Sequence, residues 1–291
     1  MSPDEIRIIA LKGIFSKTEL ENILTLKGGN AMKLQELTNR ESQDLDLSIK
    51  ESIRLSKEED GPIFEEGLQH EFKKHGYKVI DFRFEDKPAK RQRTTPPFWG
   101  GYAIQFSIIK EEQYNRLSEK QLANVNAFAE PLEGNKKRIQ IDLSFDEFTN
   151  ERIAKEIDGV TIYLYSPLMI IYEKIRASCQ QLPQYELSST KVRARDLYDI
   201  YTILTNIRYI DLYDDVLNQE NFFIIQNMFK LKDVDVELIS KIETIKEQLR
   251  NNYLDQVVPQ IPKNQEIPEF DYLFSYNMEL FQKLSNKLLD K

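Results

Sequence analysis

Cysteine occurs once, at Cys179, and histidine twice, at His70 and His75. A single cysteine excludes an internal disulfide and suits a reducing, cytoplasmic setting. Two histidines five residues apart do not share a helix face, which excludes a zinc pair built on them. They also leave little basis for a His-assisted serine or cysteine nucleophile. Both are expected on the surface of a helix covering Phe64–His75. Long apolar runs are missing as well: no stretch of about 18 such residues exists, so no membrane contact is expected. Met1–Glu5 lacks the basic and apolar parts of a signal peptide. Positive charge is short, with 40 Lys and Arg against 48 Asp and Glu and a formal charge of −8. That balance argues against nucleic-acid binding over the whole surface, so an RNA contact would need a local basic patch. The chain does have apolar content, 41% of 291 residues, enough for one large core or two ordinary ones. By elimination, the chemistry falls to carboxylates and metal.

Periodicity divides the chain. Ser2-Pro3-Asp4-Glu5 opens a helix, with Ser2 as cap and Pro3 in the first turn. The apolar run at Ile23–Leu26 predicts a buried strand, and Ala31–Leu37 a helix. Asp44–Ile49, Lys78–Glu85, Gly101–Ile108, Arg138–Phe145 and Val160–Leu164 predict strands. Helices are expected at Pro62–Lys74 and Glu111–Ala127, and a long polar loop at Asp86–Pro97. From Ser166 the period turns helical: Ser166–Gln181, Arg193–Asn206, Asp214–Lys230, Val234–Asn251 and Asn277–Leu289. The expectation is an α+β fold, with a mixed-sheet domain over 1–160 and an all-helical domain over 161–291.

Gly28-Gly29-Asn30 stands between the first strand and its helix, followed by Asp44-Leu45-Asp46. Glycines at such a turn let backbone approach a ligand where a Cβ would obstruct it, and a helix N-terminus attracts anions. Asp44 and Asp46, at i and i+2 of a strand, face the same way. Paired carboxylates repel, and a divalent cation relieves them; the combination suggests a nucleoside triphosphate held by Mg²⁺. Taken singly, a Gly-Gly turn and a solvated Asp-x-Asp face are ordinary features.

In that order, the elements resemble the first motif of DNA polymerase β-like nucleotidyltransferases. Leu26-Lys27-Gly28-Gly29-Asn30-Ala31 with Ser42-Gln43-Asp44-Leu45-Asp46-Leu47 is similar to the AbiEii/AbiGii nucleotidyltransferase toxin family. Asn30 occupies a position where that superfamily usually has Ser or Thr, and its carboxamide can still donate to a phosphate oxygen. The resemblance implies Gly28, Gly29 and Asn30 as nucleotide contacts and a third carboxylate on a neighbouring strand. Asp142, on the polar face of Arg138–Phe145, is the candidate; it completes a metal set with Asp44 and Asp46 and is suited to act as base toward the attacking hydroxyl. Asp146 and Glu147 read as strand-end surface charges. A second signature, Tyr172-Glu173-Lys174-Ile175-Arg176-Ala177 followed by Arg193-Ala194-Arg195-Asp196-Leu197-Tyr198-Asp199, is also similar to that family. It implies Lys174 at the triphosphate and Asp196 at the active site. Without the resemblance, Glu173-Lys174-Arg176 is equally a salt-bridged helix face and Asp196 a cap or a partner for Arg193.

The family likeness covers about two thirds of the chain and implies a toxin of a bacterial toxin–antitoxin or phage-defence system, with a cognate antitoxin as possible partner. The implied reaction is Mg²⁺-dependent transfer of a nucleotide from an NTP to RNA, with the tRNA 3′ end as the expected acceptor. Basic clusters at Lys87, Lys90, Arg91 and Arg93, at Lys136–Arg138 and at Lys191, Arg193 and Arg195 are candidates for RNA contact; each is also readable as a solvated face. A protein or small-molecule hydroxyl is the competing acceptor, and an inactive regulatory module of the same fold is the competing class. Ser42, two residues before Asp44, is a candidate regulatory hydroxyl, because a phosphate there would add about −1.5 to −2 charges beside the carboxylates.

Overall fold

The structure, a computed structural model, describes residues 1–38, 44–90, 92–132, 134, 136–188, 192–262 and 265–289. Two compact units make it up: Met1–Lys27 with Gln43–Leu164, and Gly28–Ser42 with Tyr165–Lys291. The second unit therefore takes in a segment from the first fifty residues.

In the first unit α1 (Pro3–Phe15) and α2 (Thr18–Glu21) lead into β1 (Leu24–Lys27). The chain then passes through α3 (Gly28–Leu34), which belongs to the second unit. Next come β2 (Leu45–Lys50), α4 (Gly61–Lys74), β3 (Tyr77–Lys87), β4 (Gly101–Lys110), α5 (Glu111–Tyr114), α6 (Glu119–Leu122), β5 (Ile139–Glu147), β6 (Ile153–Ile157) and β7 (Val160–Leu164). The seven strands form one sheet in the order β3-β4-β5-β2-β1-β7-β6. It is mixed: β2 runs parallel to β5 and β1 to β7, and the other neighbours are antiparallel.

Alternation explains which side is buried. Along β5, Ile139, Ile141, Leu143 and Phe145 are buried, whereas Gln140, Asp142 and Ser144 between them are half-buried. α4 covers the apolar face, setting Phe64 against Phe84 and Phe72 against Phe106. α1 begins with a reciprocal Ser2–Glu5 capping box and Pro3 in its first turn, as its sequence predicts. It crosses α4 at two glycines: a Cβ on Gly67 would lie 2.3 Å from the Gly13 carbonyl oxygen. Only hydrogen fits in that gap.

Several expectations are revised. The helix expected over Glu111–Ala127 is α5, α6 and a 3-10 turn at Val125–Phe128. Its apolar residues Tyr114, Leu117, Val125 and Phe128 fold inward around Ile80, Ile109 and Ala129 instead of lining one helix face. The loop expected from Asp86 starts later, because β3 pairs with β4 as far as Lys87. β6 was not expected; its residues are exposed or half-buried, so it shows no apolar alternation.

The second unit is helical beyond the sheet: α7 (Pro167–Cys179), α8 (Arg195–Leu204), α9 (Leu212–Leu217), α10 (Phe222–Lys230), α11 (Lys246–Asn252) and α12 (Phe270–Leu289). Ser166 caps α7 by accepting from Met169 N–H. The stretch expected as one helix over Asp214–Lys230 is broken between α9 and α10, and Val236–Ile245 is 3-10 rather than α. α12 starts at Phe270, earlier than the expected Asn277, and the buried Asn277 ties it to α8 by donating to the Leu197 carbonyl at 3.2 Å. Among the described residues no helix is long and apolar enough to cross a membrane.

Candidate active site

Strand register brings two of the three candidate carboxylates together. Asp46 on β2 and Asp142 on β5 are direct partners across a parallel pair, flanked on the apolar side by Leu45 with Ile141 and Leu47 with Leu143. Paired Cα atoms in adjacent strands lie about 5 Å apart with side chains on the same face. Asp44 is exposed in the bend just before β2, two residues from Asp46.

Asp142 is held from both oxygens: Gln140 Nε2 donates to Oδ1 at 2.9 Å and Lys87 Nζ to Oδ2 at 2.7 Å. The contacts continue outward. Gln105 Nε2 donates to Gln140 Oε1 at 3.2 Å, and Arg138 donates to Gln105 Oε1 at 3.3 Å and also to Asp81. Burial alone would raise the Asp81 carboxyl, but hydrogen bonds from Arg83 and Asn126 and the charges of Arg138 and Arg83 hold it below the usual range. On the other side of Asp46, Lys27 of β1 is its register partner, and Lys27 Nζ reaches Glu147 at 2.9 Å. Glu147 is buried, not the surface charge its place at the strand end suggests; it compensates a buried lysine. Asp146, half-buried, takes Arg54 at 2.6 Å.

A cavity of about 520 Å³ opens where β2 and β5 begin; Asp44, Gln105, Gln140, Lys136, Lys137 and Arg138 are among its walls. The basic run Lys136–Arg138 therefore lines a cavity that also contains a candidate carboxylate. Lys90 and Arg93 are exposed on the segment after β3. Arg91, Ser42 and Lys191 lie outside the described residues.

In the second unit, α3 begins at Gly28 itself, in the positive-φ region at 68°, so the glycine pair forms the first turn of the helix. Asn30 is buried in that turn. Lys174 of α7 is buried at 4% exposure, with its ammonium 2.6 Å from Asp199 Oδ2 and 3.4 Å from Asp196 Oδ1, two fully buried carboxylates of α8. Burial alone would lower the lysine, but Asp199 and then Asp196 hold it above its usual range. Arg193, half-exposed, approaches Asp196 Oδ2 at 3.4 Å.

The sequence motifs contain Lys174, Asp196, Asp199, Asp46 and Asp142, and Arg193 pairs with Asp196 as one reading of them expects, but they do not name the partners that hold Asp142. Lys87 and Gln140 reach Asp142, and Asp199 is the nearer carboxylate to Lys174. Gln140 was readable as a same-face neighbour of Asp142 two residues away. Lys87, 55 residues away, carried no local signal.

Residues 9–276 match the family described as nucleotidyl transferase AbiEii toxin, type IV toxin–antitoxin system. The chain belongs to this family. It is a nucleotidyltransferase toxin, and its family implies an NTP substrate and a cognate antitoxin. No curated protein matches the toxin. Among solved structures it is similar to JHP933 from Helicobacter pylori, with 17% identity and TM-score 0.48 over 98% of this chain and 91% of that one. It is also similar to MenT4, a nucleotidyltransferase toxin from Mycobacterium tuberculosis, with 12% identity and TM-score 0.39 over 97% and 82%. A third is an antigenic nucleotidyltransferase-like protein from Paracoccidioides brasiliensis, with 15% identity and TM-score 0.34 over 78% and 94%.

Among the described residues no three His, Cys, Asp or Glu converge as a ready metal cage. Mg²⁺ does not require one: it binds through one or two carboxylates and fills its octahedron with water and substrate phosphates. The in-register pair Asp46–Asp142 supplies two such carboxylates on one face, and that donor set fits the ion.

Proposed function

We propose that the toxin transfers a nucleotide from an NTP to RNA, with the tRNA 3′ end as acceptor, in a Mg²⁺-dependent reaction. The observation that carries this reading is the register pairing of Asp46 with Asp142 on adjacent parallel strands. Asp44, Asp46 and Asp142 are the proposed metal-binding carboxylates. When bound, Mg²⁺ would neutralise the triphosphate and lower the pKa of the attacking hydroxyl. The acceptor oxygen forms a bond to the α-phosphorus, the bond from that phosphorus to the bridging oxygen breaks, and pyrophosphate leaves. Asp142 takes the hydroxyl proton, and Gln140 fixes its orientation through Oδ1. Gly28, Gly29 and Asn30, at the start of α3, are proposed to bind phosphate oxygens through backbone N–H groups and the Asn30 carboxamide. Lys174 is proposed for the triphosphate and Asp196 for the active site, both on the family resemblance. Because Lys174 is buried against Asp199, a phosphate contact requires its ammonium to share or release a carboxylate.

Acceptance of RNA is supported by the basic run lining the cavity beside Asp44 and by exposed Lys90 and Arg93. Incubating the protein with each labelled NTP, Mg²⁺ and total RNA tests the proposal. Label appearing in tRNA is the expected result. Label on protein, with RNA unlabelled, would replace the acceptor, and no transfer to any acceptor would refute the reading.

A further inference from the structure

Lys87 is the last residue of β3, and its side chain is about half exposed (52%), whereas that of Asp142 is 22% exposed. Its ammonium sits on Oδ2 of Asp142 at 2.7 Å, while Gln140 occupies Oδ1. Asp142 in turn stands in register with Asp46, so two carboxylates share this part of the sheet face. Lys27, the register partner of Asp46 on the other side, directs its own ammonium to Glu147. An ammonium is a compact point charge on a flexible stem. At this exposure its ion pair is weak and readily exchanged.

We propose that Lys87 is the resident counter-ion of Asp142, holding its Oδ2 until a cation bound to nucleotide takes that oxygen over. The proposal rests on the metal-dependent reading above and adds a loading order to it. A bare divalent cation must compete with Lys87 for Oδ2 using only the protein carboxylates and water. A cation carrying a triphosphate brings further oxygen ligands and wins that competition. Lys87 is thus a positioning residue that makes metal entry depend on nucleotide.

Mn²⁺ binding to the full chain, followed by the paramagnetic signal of free Mn²⁺, tests this. Without nucleotide, Lys87→Met is expected to bind Mn²⁺ about two- to fivefold more tightly than wild type, the size expected for a half-exposed ion pair. Lys87→Arg, which keeps the charge, is expected to match wild type. Adding Lys87→Met to an Asp142→Asn background is expected to change nothing. With a non-hydrolysable NTP present, the difference between wild type and Lys87→Met should close. Equal or weaker Mn²⁺ binding in Lys87→Met, with an unchanged urea midpoint and Asp142→Asn clearly weakened, would overturn the counter-ion role while sparing the metal site. Wild-type Mn²⁺ binding in both Asp46→Asn and Asp142→Asn would overturn the metal site and the counter-ion role with it.

Discussion

Replacing Lys174 by Met would separate a structural role from a nucleotide-binding one. Its ammonium lies between Asp196 and Asp199, and Arg193 also approaches Asp196. Asp196 and Asp199 are fully buried, and Arg193 is about half exposed, so it compensates only Asp196 and only partly. Lys174→Met is close in volume but removes the ammonium from between two fully buried carboxylates. Removing one partner from a buried pair typically costs about 3–5 kcal/mol, against a total stability of about 5–15 kcal/mol for a typical domain. Urea unfolding followed by circular dichroism should therefore show a large loss of midpoint. Adding Asp199→Leu should recover much of it, because the stranded charge is then gone. The pH dependence has a fixed sign. Burial alone would lower the lysine, but Asp199 and Asp196 hold it above its unfolded value. Its contribution is then fully present below the unfolded lysine value, about 10.4, and lost as pH rises through the folded value. The gap between wild type and variant should stay constant through neutral pH and narrow only in strong alkali. A midpoint loss worth less than about 1 kcal/mol, combined with weakened binding of a non-hydrolysable NTP by calorimetry, would refute this reasoning and make Lys174 a ligand contact first.

Asp46→Asn and Asp142→Asn should each reduce nucleotide transfer by several orders of magnitude with an unchanged circular dichroism spectrum; substantial transfer by either in a radiolabel assay would remove that residue from the chemistry. Gly101→Ala should destabilise the sheet by several kcal/mol through overpacking, because its Cβ would fall 1.6 Å from the Leu143 carbonyl oxygen, forcing β4 away from the strand that carries Asp142; a thermal midpoint within a degree of wild type would contradict this. Neutralising Lys90 and Arg93 should lower RNA affinity and reduce the slope of log affinity against log salt by roughly one to two; an unchanged slope would take both residues off the RNA path.

Much of the sheet was legible because its strands are buried on one face. In β5 the alternation Ile139, Ile141, Leu143 against Gln140, Asp142, Ser144 gives both the strand and the side on which Asp142 lies. The same rule misses β6, where Ile153–Ile157 is exposed or half-buried and the period carries no information. It also miscounts the stretch after β4, where Tyr114, Leu117, Val125 and Phe128 are spaced for a helix but close a small local core through three short turns. Partners far apart along the chain were out of reach. Glu147 resembles a strand-end charge until Lys27, 120 residues away, meets it. Nothing local to α7 shows that Lys174 faces Asp199 rather than solvent.

The interleaving of the two units bears on how the chain is made. Synthesis runs from the N-terminus, so α3 emerges early, yet the helices of its own unit, α7 among them, come more than 130 residues later. α7, against which α3 packs, does not exist until the whole sheet has been synthesised. At about 5–20 residues per second, that delay is on the order of ten seconds. A nascent chain stalled near Leu164 would therefore contain every strand of the sheet and both paired aspartates, with the glycine helix still lacking the unit it belongs to. A second fragment, Tyr165–Lys291, should therefore complement one cut at that point only while Gly28–Ser42 is kept on the first.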